Sequence, residues 1–159
     1  MTKEILTVGM SLLLALAFAT TTVPEAVAPG AAPTEEQTEQ VPEKRYYLTA
    51  DERELICEVV MAESGIEPYA GKIAVSQCIL NACEQTGKRP AEIVTEYGYT
   101  ARRVKPSAEV EKAVSAVFDD GETVTDAEIL YFYAPELVSS EWHESQTYIC
   151  TIGGHRFFA

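Results

Sequence analysis

The chain has 159 residues, with 25 acidic against 12 basic side chains and a net charge of −13. That charge repels nucleic acid, anionic lipid and polyphosphate substrates, so no nucleic-acid partner is expected. The length suits one compact domain with a modest core once a polar N-terminal stretch is set aside, and leaves no room for a second.

The first element in chain order is an address. Lys3 precedes an apolar run from Ile5 to Ala19, at about 15 residues short for a spanning helix and right for a signal-peptide core. Residues 1–28 are expected to be a signal peptide or an N-terminal anchor that engages the export machinery or the membrane. Ala17-Phe18-Ala19 and Ala26-Val27-Ala28 both have the small-x-small pattern of a cleavage site. The protein is therefore expected to be secreted or associated with the cell wall. Residues 29–46 read as a disordered linker, rich in Ala, Pro, Thr, Glu and Gln with no periodic apolar face, because such a segment buries too little surface to offset its ordering entropy.

Helices come next. Thr49-Ala50-Asp51-Glu52 is a capping-box pattern, and Leu55, Ile56, Val59, Val60 and Glu63 recur at the helical period, so a helix is expected from about Ala50 to Glu63. A second is expected from Pro68 to about Cys83, with Ile73, Ala74, Cys78, Ile79 and Ala82 on its inner face. Pro90 to Tyr97 reads as a short helix. Ser107 caps a further one that buries Val110, Ala113, Val114, Val117 and Phe118 before Asp119-Asp120-Gly121 stops it.

After that the pattern changes to strands. Ile129-Leu130-Tyr131-Phe132-Tyr133 reads as a buried strand, and Thr147 to Ile152 and His155 to Phe158 flank Gly153-Gly154 as a hairpin. The fold class is α+β, mostly helical, with a small C-terminal sheet.

The connection between the first two helices carries the chemistry. Glu63 is a carboxylate on an otherwise apolar stripe, expected to face the core, and a buried carboxyl is suited to hold and donate a proton. Glu67 opens the next helix, where the dipole and free amides favour a negative charge. The ordinary structural roles are a satisfied buried acid for Glu63 and an N-cap acid for Glu67.

Leu48-Thr49 to Glu54, Ala62-Glu63-Ser64-Gly65-Ile66-Glu67-Pro68-Tyr69-Ala70-Gly71, Ala74-Val75, Leu80-Asn81, Leu130-Tyr131-Phe132-Tyr133-Ala134-Pro135 and Thr151-Ile152-Gly153-Gly154-His155-Arg156-Phe157-Phe158 resemble the cell-wall hydrolases of the SleB type, which include spore cortex-lytic enzymes. The resemblance runs from Tyr47 to the C-terminus and makes residues 47–159 the expected catalytic domain. It implies a lysozyme-like or lytic-transglycosylase-like architecture that cleaves peptidoglycan glycan strands, with Glu63 as the catalytic acid. Three departures stand out: Ser64-Gly65-Ile66 where the family usually has Ala-Arg-Gly, Ala82 in place of an Arg, and Ala134 in place of an Asn.

Glycoside cleavage needs a proton for the leaving oxygen and a group that captures or stabilises an oxocarbenium-like centre. A lone Glu63 suffices if the muramoyl C6 hydroxyl is the nucleophile, which yields an anhydro sugar; hydrolysis requires Glu67 to position a water. Tyr131, Tyr133, Trp142 and His155 are the candidate substrate-binding residues together with Glu67, since aromatic faces pack on sugar rings and polar tips bond hydroxyls. Tyr131 and Tyr133 share one face of a strand, whereas Trp142 and His143 fall in an expected polar loop. No cofactor is expected. Cys57, Cys78, Cys83 and Cys150 lack Cys-x-x-Cys spacing, so no metal is expected, and they read as small buried hydrophobes, although export permits a disulfide, for example between the first two helices. The rival readings are a Cys/His peptidase or amidase that uses one cysteine with His155, and a peptidoglycan-binding module without turnover.

Overall fold

A computed structural model describes residues 46–159; the signal or anchor segment expected over 1–28, and the linker expected over 29–46 apart from Tyr46, lie outside the described residues. Among the described residues five helices and three strands follow one another: α1 (Ala50–Ser64), α2 (Tyr69–Thr86), α3 (Pro90–Glu96), α4 (Ala108–Phe118), β1 (Tyr131–Tyr133), α5 (Glu141–Glu144), β2 (Tyr148–Ile152) and β3 (His155–Phe158). This is the expected α+β class, a helical body with a small sheet.

The helix starts obey local chemistry. At α1 the Thr49 hydroxyl accepts from the Glu52 amide and the Glu52 carboxylate accepts from the Thr49 amide, the reciprocal pair of a capping box. Ser107 caps α4 by accepting from the Val110 amide. Two expected boundaries move. Pro68 is the N-cap of α2 rather than its first helical residue, and α2 continues past Cys83 to Thr86, where Gly87 at φ 70° closes it because the left-handed C-cap suits glycine.

Helix α2 is the axis of the domain. An amphipathic helix with one inner face was expected, yet every residue from Gly71 to Cys83 is buried. The reason is polar: Gln77 donates to the Thr125 carbonyl at 2.9 Å and accepts from the Val124 amide at 3.0 Å, while Asn81 donates to the Ile129 carbonyl at 3.0 Å. These side chains satisfy the backbone of the segment that leads into β1. Around the helix lie Ile56, Val59 and Val60 of α1, Ile93 of α3, Val114 and Phe118 of α4, and Phe157 of β3. Lys72 is only 2% exposed; its ammonium donates to the Glu67 carbonyl and lies 3.0 Å from the Glu109 carboxylate. Tyr46 packs edge-on against Phe118, and its amide donates to the Phe118 carbonyl at 3.0 Å.

The sheet is antiparallel in the order β1-β3-β2, with Tyr131 opposite Phe158 and Tyr133 opposite Arg156. The expected first strand is shorter than its apolar run: Ile129 and Leu130 are buried in the core ahead of β1, although the Leu130 amide still bonds the Phe158 carbonyl at 2.8 Å. A register shift between Tyr148 and Cys150 bends β2 across β3.

Two pH windows follow from the buried and paired groups. Arg89 donates to both oxygens of Glu52 and, with the Thr49 amide, holds the Glu52 carboxyl down at about 2. Its folded pKa is depressed, so that contribution is complete above the ordinary glutamate range and is lost as pH falls towards about 2. Burial likewise depresses His143, and depresses His155 against the upward pull of the Glu67 and Glu63 charges. Both rings are therefore favoured neutral in the fold, and stability is lost as pH falls from about 6.5 through their lowered folded values. Resistance to urea unfolding is expected to fall as pH drops below about 6.5, and to fall less in His155→Gln. A flat wild-type profile over that range would contradict the assignment.

Candidate active site

Helix α1 delivers Glu63 to its last turn. Ile56, Val59 and Val60 are buried below it, but Glu63 itself is half-buried rather than core-facing as expected, because α1 ends against an open cleft of about 570 Å³, a size in the usual range for a ligand site. The Thr100 amide donates to Glu63 Oε1 at 2.6 Å, which fixes the direction of the carboxylate. Among the described residues no hydrogen bond occupies its other oxygen, and no cation lies within ion-pair distance.

The walls of the cleft come from three places. Glu96 ends α3 and Tyr97, Gly98 and Tyr99 follow it, Leu130 leads into Tyr131 and Phe132 of β1, and Trp142 and His143 come from α5. The Tyr97 and Tyr131 rings stack at 5.7 Å, and Trp142, 54% exposed, stands edge-on to Tyr131 at 4.9 Å. This is an aromatic wall with one half-exposed ring, suited to the face of a sugar. Glu96 is the cleft's other carboxylate, but Lys88 pairs with it. Behind the wall the Tyr99 phenol is buried with no hydrogen-bond partner, and burial, reinforced by the Glu63 charge, pushes its pKa well up. It stays a neutral hydroxyl.

Trp142 and His143 do not lie in a loop as expected. Ser140 caps α5 by accepting from the His143 amide and lies 2.7 Å from His143 Nδ1. That contact turns the imidazole under Trp142, with ring centroids 4.9 Å apart.

Of the six residues singled out from sequence, the cleft gathers Glu63, Tyr131 and Trp142; Glu67, Tyr133 and His155 lie elsewhere. Glu67 does not cap α2: its carboxylate turns away and accepts from the Gly154 amide at 2.8 Å, with Oε1 3.7 Å from His155 Nδ1. The Lys72 side chain, returning to the Glu67 carbonyl, helps hold that turn. Tyr133 is buried, stacks on Phe158 and donates to Glu144, which also pairs with Arg156 at 2.8 Å. It supports α5 from beneath. His155, 8% exposed, lies edge-on to Phe132 with Nδ1 unbonded, on the far side of the cleft wall.

Tyr97, Tyr99, Thr100 and Phe132 were not anticipated as site residues. Two tyrosines flanking Gly98, which has φ 72°, were the available signal, since a left-handed glycine turns the chain tightly and can present both rings together. The four cysteines are free. None lines the cleft, and burial pushes Cys57 and Cys83 up to about 11 and Cys78 well above the ordinary thiol value. That environment gives no thiolate at neutral pH, so no observation favours the Cys/His peptidase.

A family model described as Cell Wall Hydrolase matches residues 66–158, so that Glu63 lies just ahead of the matched stretch. Among solved structures, the catalytic domain of the Bacillus cereus SleB protein is similar at 24% identity with a TM-score of 0.59, over 71% of this chain and 93% of that one. The catalytic domain of germination-specific lytic transglycosylase SleB from Bacillus anthracis is similar at 24% identity with a TM-score of 0.57, over 70% and 97%. At that identity the likeness speaks for the fold. No curated protein matches the chain.

Proposed function

Because the chain belongs to the Cell Wall Hydrolase family, we propose that it cleaves the peptidoglycan glycan strand between MurNAc and GlcNAc as a lytic transglycosylase, with Glu63 as the single acid and base. The observation that carries this reading is the uneven treatment of the carboxylates. Glu63 faces the cleft with one oxygen held by Thr100 and the other without a partner, whereas Glu96 is paired with Lys88 and Glu67 is tied to Gly154. That difference supports a single acid and base over a pair of carboxylates.

In this mechanism the Glu63 proton passes to the leaving GlcNAc oxygen as the bond from MurNAc C1 breaks. The MurNAc C6 oxygen then bonds to C1 and returns its proton to Glu63, so the enzyme emerges unchanged and the product is an anhydro sugar. Tyr97, Tyr131 and Trp142 hold the ring faces, and placing the C6 hydroxyl close to C1 supplies the advantage of an intramolecular reaction. The name of the Bacillus anthracis relative, a germination-specific lytic transglycosylase, supports the same reaction and makes spore cortex a substrate to include.

Mass spectrometry of fragments released from purified cortex and vegetative peptidoglycan tests the proposal. Anhydro-muropeptides are the expected product. Reducing-end muropeptides would replace transglycosylation by hydrolysis, and binding without release would leave a wall-binding module. We further propose that residues 1–28 direct export, on the strength of Lys3 and the apolar run from Ile5 to Ala19. Full-length protein found only in the cytoplasm of an expressing cell would end that proposal.

A further inference from the structure

The molecule is strongly acidic, and its cations are mostly spoken for. Arg53, Lys72, Lys88, Arg89 and Arg156 each hold a carboxylate, and Lys112 lies over the Tyr69 ring. Two cationic side chains, Arg102 and Lys105, have neither an anionic nor a ring partner among the described residues, and both are exposed. They sit on the loop between α3 and α4, which also carries Thr100, the residue whose amide holds Glu63.

That loop is shaped to present them. The Arg102 amide donates to the Thr100 hydroxyl at 3.1 Å, and the Arg103 guanidinium folds back to the carbonyls of Thr100 at 2.9 Å and Arg102 at 3.2 Å. Arg103 also lies 3.8 Å from Glu58 on α1. Arg103 thus spends its donors on the loop and part of its charge on Glu58, while Arg102 and Lys105 remain unneutralised. Two residues of extended chain span at most about 7 Å, so Arg102 is anchored close to the amide that orients the acid.

We infer that Arg102 and Lys105 form an anion subsite for the carboxylates of the peptide stem carried by the MurNAc residue being cleaved. The inference rests on the glycan-cleaving reading above. With its lactyl carboxyl amide-bonded to the stem, MurNAc carries no charge of its own and neither does GlcNAc, and the aromatic wall of the cleft is neutral to match. Negative charge in peptidoglycan sits on the stem peptide, which is joined to the muramoyl ring whose C1 reacts. A stem leaving the cleft beside Glu63 meets this loop, and a guanidinium and an ammonium three residues apart on it can each pair with a stem carboxylate. In a chain of net charge −13, a local positive island also offsets the repulsion that the rest of the surface exerts on an anionic polymer.

The test measures binding by the full chain carrying Glu63→Gln, so that turnover does not intervene, with and without the added pair Arg102→Ala and Lys105→Ala. The probes are soluble glycan fragments bearing stem peptides and the same fragments stripped of them by an amidase, with the muramoyl carboxyl that this frees capped as a simple amide. Loss of two exposed charge contacts is expected to weaken stem-bearing fragments about fivefold, leave stripped fragments within about twofold, and fade in high salt. An equal loss on both probes, or no loss on the stem-bearing one, overturns the subsite while the glycan reading stands. Competition by inorganic phosphate as strong as that by free stem peptide overturns the stem assignment in favour of a general anion patch. Failure of the Glu63→Gln parent to bind either fragment defeats the glycan reading, and the subsite with it.

Discussion

Glu63→Gln is expected to lower glycan cleavage at least about 100-fold, the usual contribution of a positioned general acid and base, while leaving the unfolding transition unchanged. The substitution keeps shape and volume, and the carbonyl of the amide can still accept from the Thr100 amide that now meets Glu63 at 2.6 Å. Only the ability to give and take back a proton is removed. Because Glu63 is half-buried at the end of α1 and has no cation partner among the described residues, no charge is left stranded by the change. A fall in activity accompanied by a matching fall in thermal midpoint would assign Glu63 a structural role instead. Full activity in the variant would remove it from the mechanism altogether.

Gly153→Ala is expected to destabilise the fold by about 3 kcal/mol, from two sources that act together. At φ 57° the residue occupies the left-handed region, where a side chain costs about 1–2 kcal/mol. An added Cβ would also overlap the Glu67 carboxylate and lie 2.9 Å from Pro68 Cδ. Glu67 would have to release the Gly154 amide it holds at 2.8 Å, and a bond from a backbone amide to a charged group is worth about 1.5–3 kcal/mol. The hairpin turn and the α1–α2 connection are therefore one unit, although they lie 87 residues apart in sequence. Urea unfolding of Gly153→Ala, Glu67→Ala and the double variant measures this directly: in the double variant the two losses should fall well short of additive. Additive losses, or a Gly153→Ala cost under about 0.5 kcal/mol, would separate the two segments.

Tyr131, Tyr133 and Phe132 illustrate how far pattern reading extends into the site. Alternation correctly sets Tyr131 and Tyr133 on the side of the strand that meets α5, and Phe132 against Tyr99 and His155. It does not distinguish a ring on the cleft wall from a ring beneath it. Tyr133 is drawn under α5 by Glu144 and Arg156, whereas Tyr131 meets Tyr97 from another element. Sequence alternation contains neither partner.

Sequence alone determined the starts of α1 and α4, the hairpin turn at Gly153-Gly154 and the order of helices before strands. Each depends on residues within one or two turns of one another: a hydroxyl reaching an amide three residues on, a glycine taking a positive φ, an apolar period. Tertiary structure alone decided that Glu63 opens onto a cleft rather than the core, that Thr100 orients it from 37 residues away, and that Glu67 serves the hairpin instead of the cleft. Those outcomes turn on which distant backbone groups and rings converge once α2 is wrapped on all sides. A periodic pattern records that a face is covered, not what covers it.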